Sequence, residues 1–336
     1  MDVIEQAELT KLNTLSLSSI ANLLVNIYSI EALITACKKA AQNNDTFLIL
    51  GGGSNLILPS FIERPVYRFL GTKIKYQNLN PNDVLVTVEA GVLWDDLVRM
   101  LVSQGLHGIE NLSLIPGTVG AAPVQNIGAY GVELANVLES VEVLNLQTLE
   151  LETMSKDECQ FAYRDSWFKQ HPNDYFIVKV SLKVSKKPEF TLNYGGLKAL
   201  NTVEDLNVEK VRDKVIALRS AKLPDPRLLP NAGSFFKNPV VTVNKAHQLK
   251  SDYPQLVSYP QKNGQEKLAA GWLIEQAGWK GKRIGDVGMH VQQALVLVNY
   301  KHADQQEVLD FAAQVQTSVL KKFDVSLEIE PVTIHN

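Results

Sequence analysis

The chain has 336 residues, of which 45% are hydrophobic and 21% charged, and its formal net charge is -3 at pH 7. This length exceeds what one hydrophobic core usually organises, so we expect two or three domains. The small net charge excludes a general electrostatic attraction for nucleic acid or membrane surfaces, and binding must therefore come from local sites.

Neither export nor a membrane span is expected from the sequence. The N-terminal segment is acidic and lacks the basic start and apolar run of a secretory signal. The longest apolar stretches, such as residues 294–298, fall far short of the about 20 residues that a membrane helix needs. Cys37 and Cys159 are too few for a disulfide framework, and no metal-ligand spacing is present. We therefore expect a soluble cytoplasmic protein with buried thiols and no metal.

The first third of the chain mixes helix and strand patterns. Apolar residues at helical spacing predict that residues 18–42 are mostly helix, and an amphipathic run predicts a second helix over residues 94–104. Short apolar or alternating runs predict strands, namely residues 46–50, 56–58, 66–69 and 84–88. The class predicted for the chain as a whole is α+β.

The later part continues this α+β pattern after a long loop rich in Gly and Pro, residues 109–132. The predicted strands are residues 141–151, 175–184 and 294–299. The predicted helices are residues 207–222, 267–277 and 305–322, besides a helix and loop over residues 155–169. The sequence Leu-Pro-Asp-Pro from residue 223 ends a helix and opens a new domain.

Residues 51–55 follow a predicted strand and read GGGSN. Clustered glycines expose backbone N–H groups that can bind pyrophosphate without a lysine, but the same glycines also suit a plain tight turn. A nucleotide-binding P-loop would need Gly-Lys-Ser/Thr, and the Rossmann fingerprint would need glycine where Leu56 stands. Both of those readings fail, and the choice between a turn and a phosphate site stays open.

A second glycine-rich segment, residues 115–133, reads IPGTVGAAPVQNIGAYGVE. Its small side chains would let a flat or anionic ligand approach the backbone, and its amides and tyrosine add donors and a ring. The alternative is a packed Ω-loop without a ligand.

Four polar residues also carry possible chemistry. Arg164, in an aromatic string, could hold a carboxylate or form a structural pair with Asp165. Ser234, between a glycine and two phenylalanines, could donate a proton or be an ordinary turn residue. Glu328 and Glu330 are predicted on one face of a strand, where they would need partners if that face is buried.

Together these segments resemble the UDP-N-acetylenolpyruvoylglucosamine reductase (MurB) family over nearly the whole chain. The matching segments, in the order and spacing of the family, are LGGGSN at 50–55, IPG at 115–117, QNIGAYG at 125–131, YRDS at 163–166, GSFFKNP at 233–239 and LEIE at 327–330. Two departures stand out: Gly52 replaces a common glutamate, and Pro331-Val332 replaces the usual Val-Arg.

The resemblance implies an FAD-binding fold of the vanillyl-alcohol-oxidase (PCMH) type with a C-terminal α+β substrate-binding domain. The domains expected are residues 1–65 and 66–220 for two FAD-binding subdomains, 221–325 for the substrate domain, and 326–336 for a C-terminal strand returning to the active site. It also implies non-covalent FAD as cofactor, NADPH as hydride donor, a UDP-sugar enolpyruvyl ether as substrate, and a monomer that makes a precursor of cell-wall peptidoglycan.

The family's functional residues map onto this sequence as three groups. The catalytic positions implied are Arg164, Ser234 and Glu330. The FAD-binding positions implied are Gly51, Gly52, Gly53, Ser54, Asn55, Ile115, Pro116, Gly117, Thr118, Gly120, Gln125, Asn126, Gly128 and Tyr130. The substrate-binding positions implied are Tyr194, Lys222, Lys237 and Asn238.

The implied mechanism has two half-reactions, in which NADPH reduces FAD and the reduced flavin then gives hydride to the vinyl carbon. Arg164 would stabilise the charge that develops in the substrate carboxylate, and Ser234 would protonate the adjacent carbon. Glu330 would orient the enol intermediate or tune the proton donor. Two rivals remain: an oxidase of the same fold, whose reduced flavin reacts rapidly with oxygen, and a colourless sugar-nucleotide-binding module without turnover.

Overall fold

The computed structural model describes residues 1–261 and 264–336 and divides into two compact units. The first unit comprises Met1–Ala7, Ala21–Gly52 and Glu63–Ala221, and the second comprises Glu8–Ile20, Gly53–Ile62 and Lys222–Asn336. Each unit has its own hydrophobic cluster, as expected for a chain of this length. The functional domain boundaries expected from the resemblance remain a prediction.

The α-helices of the described chain are α1 (Ile30–Asn43), α2 (Trp94–Ser103), α3 (Trp167–Gln170), α4 (Val208–Ser220), α5 (Val243–Asp252), α6 (Ala270–Gln276) and α7 (Gln305–Phe323). Short 3₁₀ helices occupy Thr10–Leu12, Glu110–Leu112, Val119–Ala121, Leu134–Asn136 and Gly195–Thr202.

The strands, in chain order, are β1 (Asp2–Glu8), β2 (Ile20–Ile27), β3 (Leu48–Ile49), β4 (Leu56–Ile57), β5 (Phe61–Ile62), β6 (Val66–Phe69), β7 (Ile74–Asn78), β8 (Asp83–Glu89), β9 (Gly128–Ala129), β10 (Val132–Glu133), β11 (Leu138–Asn145), β12 (Leu151–Ser155), β13 (Tyr175–Ser185), β14 (Asn231–Ser234), β15 (Val240–Thr242), β16 (Ser258–Pro260), β17 (Gln265–Leu268), β18 (Arg283–Ile284), β19 (Val287–Met289), β20 (Val296–Asn299) and β21 (Val332–Thr333).

The first unit is built on two large sheets, besides the two-stranded pair β9-β10. In one, β2 and β3 run parallel to β6, and β1 lies outside β2. The other is a five-stranded antiparallel sheet of order β12-β11-β13-β8-β7. Its alternating pattern buries Val84, Val86 and Val88 of β8 in the core of the unit, as expected for strands with one covered face.

In its described residues, the second unit carries three small sheets and the three α-helices α5, α6 and α7. The sheet orders are β14-β20-β19-β18, β15-β17-β16 and the parallel pair β21-β4. Helix α7 begins with a capping box between Asp304 and Glu307, and its apolar face packs into the core of this unit. The pairing of β21 with β4 brings the C-terminal segment beside the chain that follows the first glycine segment.

Two helix predictions are partly wrong. Residues 20–27 form strand β2, because parallel pairing of Leu24 with Val66 outweighs an apolar spacing that also suits a helix. Helix α1 begins only after Ser29, whose side chain accepts a hydrogen bond from the Ala32 N–H at 3.2 Å. Similarly, the start of the helix predicted over residues 267–277 is the end of β17, which pairs with β15 and β16.

Candidate active site

The two glycine-rich segments lie against each other in the first unit. A Cβ atom added at Gly52 would lie 2.7 Å from the Cα of Gly117, and one added at Gly51 would lie 3.0 Å from the Thr118 hydroxyl. Gly117 also has a φ of 119°, which L side chains rarely adopt. A larger residue at these positions would force the two backbones apart. The two backbones therefore meet without intervening side chains, and we call this contact the glycine cradle.

Residues 117–120 are held by hydrogen bonds to the junction between β8 and α2. The Gly117 carbonyl accepts from the Trp94 N–H at 3.0 Å, and the Gly120 N–H donates to the Ala90 carbonyl at 2.9 Å. A Cβ at Gly120 would lie 2.5 Å from that of Ala90. This part of the loop is thus ordered backbone on a rigid support. Ile115 and Pro116 lead into it.

The remaining residues of the first glycine segment belong to the second unit. Gly53 has a φ of 61°, and a Cβ there would overlap the Leu12 carbonyl, so only glycine fits. The Gly53 carbonyl accepts from the Thr14 N–H at 3.2 Å, and the Thr14 hydroxyl donates to the Ser54 carbonyl at 3.4 Å. The Asn55 side chain donates to the Glu330 carbonyl at 3.4 Å.

Within residues 125–130, the Asn126 side chain stabilises the local backbone. It is buried, its amide nitrogen donates to the Glu133 carboxylate at 2.8 Å, and its oxygen accepts from the Ala135 N–H at 3.0 Å. These bonds brace the hairpin of β9 and β10. Gln125, Gly128 and Tyr130 are only half-buried, so they are accessible for binding.

The Arg164 side chain contacts the hairpin of β9 and β10. Its Nη2 donates to the Gly128 carbonyl at 3.1 Å, and a Cβ at Gly128 would lie 3.4 Å from its Nη1. The neighbouring Asp165 carboxylate instead accepts from the Ser166 N–H and the Gln170 amide. The Arg164 guanidinium therefore lies against the backbone of the second glycine segment.

Tyr130 and Tyr194 contact each other edge to face, with ring centroids 5.9 Å apart. Buried Asn111 donates to the carbonyl of Tyr130 at 2.9 Å and to that of Thr191 at 2.8 Å, which ties the two tyrosine segments together. Tyr194 is 50% exposed, as a residue that covers a ligand would be. No sequence pattern indicated this role of Asn111.

Arg219 is a second cation near this segment, and it was not among the residues predicted from the sequence. It lies half-buried in the last turn of α4, and its Nη2 donates to the Leu114 carbonyl at 3.4 Å. Burial lowers the pKa of Arg219, and the positive charge of Arg164 lowers it further, whereas Tyr130 and Asp95 raise it. Helical spacing from Val208, Val211 and Val215 puts Arg219 on the inward face, and that signal could have revealed it.

In the second unit, Ser234 follows a β-bulge in β14. The register of β14 with β20 shifts between Asn231 and Ser234, and Gly233 has a φ of 72°. The Gly233 N–H donates to the Asn231 side-chain oxygen at 2.8 Å. Bulges of this kind redirect a side chain next to a site. The two residues that follow, Phe235 and Phe236, are fully buried and anchor the half-buried Ser234.

Glu330 lies beside this strand. Its N–H donates to the Phe235 carbonyl at 2.9 Å, and the Val332 N–H donates to the Asn55 carbonyl at 2.9 Å. These two donors flank Pro331, so the proline removes neither bond that fastens the segment. The two glutamates predicted on one face differ in environment: Glu330 is 9% exposed, whereas the Glu328 side chain is 70% exposed.

The other predicted substrate residues of the second unit have different surroundings. The Lys237 ammonium forms an ion pair with Glu328, and the Asn238 side-chain oxygen accepts from the Ala270 N–H at 2.9 Å at the start of α6. Lys222 is exposed. Across residues 1–261 and 264–336, no cluster of three or more His, Cys, Asp or Glu side chains could hold a metal ion. No helix there is both long and apolar enough to span a bilayer.

Comparison with known proteins decides the family. Residues 21–152 match a family described as FAD binding domain, and residues 225–334 match UDP-N-acetylenolpyruvoylglucosamine reductase, C-terminal domain. A protein of Alcanivorax borkumensis with that enzyme's name is 47% identical over 337 residues, covering 98% of this chain and 96% of that one. Its counterpart in Pseudomonas fluorescens is 44% identical and covers 98% of both chains. The chain belongs to the UDP-N-acetylenolpyruvoylglucosamine reductase family.

Solved structures agree with this reductase family in fold. The MurB crystal structure from Thermus caldophilus superposes with a TM-score of 0.69 at 24% identity, covering 99% of this chain and 98% of that one. A solvent-stable cholesterol oxidase gives a TM-score of 0.54 at 11% identity, covering 98% of this chain and 86% of that one. The predicted α+β class, an FAD-binding fold with a C-terminal reductase domain, is confirmed.

Proposed function

We propose that this chain, as a member of the reductase family, reduces UDP-N-acetylglucosamine enolpyruvate to UDP-N-acetylmuramate, with FAD as cofactor and NADPH as hydride donor. The observation that supports it best is the backbone contact between Gly52 and Gly117, which joins the two segments implied to bind FAD. The product is a peptidoglycan precursor. The net charge of only -3 gives no general attraction to membranes or nucleic acid, and we propose a cytoplasmic monomer.

The glycine cradle suits FAD chemically. Gly51, Gly52 and the loop from Ile115 to Gly120 would hold the pyrophosphate through backbone N–H groups. The remaining implied ligands are Gly53, Ser54, Asn55, Gln125, Asn126, Gly128 and Tyr130. Bound there, FAD would relay a hydride from NADPH to the enolpyruvyl group. A Cβ at Gly52 would lie 2.7 Å from the Cα of Gly117, so this chain's glycine in place of the common glutamate lets the two segments approach closely.

Arg164 is proposed to bind the substrate carboxylate. Hydride addition to the vinyl carbon places negative charge in that carboxylate, and a fixed guanidinium lowers the energy of this state most when it is oriented in advance. The hydrogen bond to the Gly128 carbonyl supplies that orientation. The positive charge of Arg164 lowers the pKa of Arg219, so the two guanidinium groups interact. Arg219 is proposed to add positive potential in the same unit.

Ser234 is proposed to donate the proton that completes the reduction. Serine is a weak acid, so its hydroxyl needs a neighbour that stabilises the alkoxide or returns the proton. The Glu330 backbone is bonded to Phe235, the residue after Ser234, and this fixes the spacing of the two segments. Glu330 is proposed to orient the enol intermediate or to tune the hydrogen bonding of the proton donor.

Four residues are proposed to bind the UDP-sugar. Tyr194, half-exposed against Tyr130, would cover the ligand. Lys222 is exposed and suits a phosphate, whereas Lys237 would have to exchange its Glu328 partner for one. The Asn238 amide nitrogen carries two donors in addition to the oxygen that is bonded at α6.

The visible spectrum of the purified protein tests this function. A flavin spectrum that NADPH bleaches, and that the enolpyruvyl substrate restores without oxygen, is expected. Rapid recovery with oxygen alone would favour an oxidase of the same fold. A colourless protein that binds the UDP-sugar without turnover would favour the binding module.

A further inference from the structure

Asp95, in the first turn of α2, joins two segments that are distant in sequence. Its Oδ1 accepts from the Leu114 N–H at 2.7 Å and from Arg212 Nη1 at 2.8 Å, while its Oδ2 accepts from Arg212 Nη2 at 2.9 Å. This is the two-pronged geometry in which a guanidinium holds a carboxylate most firmly. Burial opposes ionisation of Asp95, but the bonds from Arg212 and Leu114 outweigh it and lower its pKa.

Arg212 also reaches the residue before Leu114. It is 8% exposed on the inward face of α4, and its Nη1 donates to the Ser113 hydroxyl at 2.8 Å. The buried Ser113 hydroxyl in turn donates to the Glu110 carbonyl at 2.6 Å. One guanidinium therefore fixes Ser113 directly and Leu114 through Asp95.

Leu114 needs such support. Its φ of 57° lies in the left-handed region, where a leucine is stable only if its surroundings hold it. Three residues later, the Gly117 carbonyl accepts from Trp94, the neighbour of Asp95. The first turn of α2 thus clamps the segment 114–117 at both ends, and Arg212 supports the end that carries the strained residue.

We propose that Arg212 is a positioning residue for FAD: through Asp95 and Ser113 it sets the conformation of residues 114–117, and thereby the affinity for the cofactor. This inference rests on the proposed function, in which residues 115–118 bind FAD. Arg212 should therefore change the affinity for FAD without contacting FAD itself.

The test is the Arg212→Met variant, which keeps an aliphatic side chain and removes the guanidinium group. Loss of an outer-shell partner of a metal ligand typically costs about 10- to 100-fold in affinity, and by the same reasoning we expect the dissociation constant of FAD to rise at least about tenfold. With saturating FAD, kcat should stay within about threefold, since no reacting group is lost. Amide hydrogen exchange should accelerate in residues 113–118 and not in β13. Arg212→Lys, which keeps the charge, should restore part of the affinity.

Two further variants separate positioning from general stability. Lys179→Met removes a half-buried ion pair with Glu142 in the antiparallel sheet of the same unit, at 2.7 Å, and should leave FAD affinity unchanged. The double variant Asp95→Leu/Arg212→Met leaves no unpaired buried charge, so it decides the matter if the single variant does not fold. Parent-like FAD affinity in the double variant, or an equal loss of affinity in Lys179→Met, would overturn the inference.

Gly117→Val distinguishes this inference from the function on which it rests. If Gly117→Val loses FAD while the Arg212 variants keep it, the loop binds FAD and only the positioning role of Arg212 is wrong. If Gly117→Val binds FAD as tightly as the parent, the assignment of the loop itself is wrong, and the inference about Arg212 falls with it.

Discussion

The N–H of Glu330 donates to the carbonyl of Phe235 at 2.9 Å, so the C-terminal segment is bonded to the residue that follows Ser234. A local backbone bond thus joins two positions that are 95 residues apart (235 and 330) in the sequence. Since the donors in use belong to Glu330 and Val332, the unusual Pro331 is compatible with this arrangement. The proposed proton donor, Ser234, and the Glu330 carboxylate therefore belong to neighbouring segments of the chain.

Replacing Ser234 by alanine should separate the two half-reactions. Reduction of FAD by NADPH should change by less than about threefold, while reduction of the enolpyruvyl substrate should slow by about 10²- to 10⁴-fold, because only the second step needs the proton. Stopped-flow absorbance of the flavin measures both rates. Equal slowing of both steps would be incompatible with Ser234 as the proton donor.

Glu330 and Glu328 form a matched pair for mutagenesis. Glu330→Gln should slow the second half-reaction by about 10²-fold, because a buried carboxylate in the proposed site loses its charge. Glu328→Gln removes an exposed carboxylate and should keep the rate within about threefold, while freeing Lys237 from its partner. Steady-state kcat of both variants measures this difference. Comparable losses in the two variants would argue against a special role for Glu330.

Glu110 should make stability depend on pH. Burial raises the pKa of this carboxyl above 4.5, although the Gly108 N–H donates to it at 2.7 Å. The unfolded chain therefore loses this proton at a lower pH than the folded chain, and wild-type stability falls as pH rises from about 4.5 through the raised pKa. Relative to wild type, Glu110→Gln should gain about 1.4 kcal/mol for each unit by which the pKa is raised. Urea unfolding at pH 4 and pH 8 measures this gain, and a difference independent of pH would contradict it.

The two thiols should be inert in the folded protein. Burial raises the pKa of both Cys37 and Cys159 to about 12, so neither forms the reactive thiolate at pH 8. We expect no reaction with a thiol-disulfide reagent over the time in which the denatured chain reacts at both positions. Rapid labelling of either thiol in the native protein would show that its site opens readily.

The sequence predicted the glycine loops and most helices, because Gly, Pro and helical periodicity act locally. It failed at β2, where Leu23, Leu24 and Ile27 satisfy a helix as well as a strand and only pairing with β6 decides. The contact between Gly52 and Gly117 was beyond local patterns, since it joins distant segments. Resemblance to a family supplied the roles of the site residues, which spacing alone left open.

The inward arginines show a different limit. Arg212 and Arg219 occupy positions that helical spacing assigns to the buried face of α4, yet charged residues are usually exposed. Two arginines on the buried face of a helix indicate that these side chains have buried partners. The identity of those partners, Asp95 and Ser113 for Arg212, depends on how α4 packs against α2 and the loop, which local patterns do not encode.

The FAD affinity of Gly117→Val tests the central claim most directly. Gly117 has a φ of 119°, which valine rarely adopts, and its backbone contacts Gly52, so the substitution must distort the glycine cradle. Gly105 also has a positive φ, 69°, but a Cβ there would meet nothing within 4 Å, so Gly105→Val is the matched control. By equilibrium titration, Gly117→Val should bind FAD at least about 100-fold more weakly than the parent, and Gly105→Val should bind within about threefold. Parent-like FAD affinity in a folded Gly117→Val protein would contradict the account.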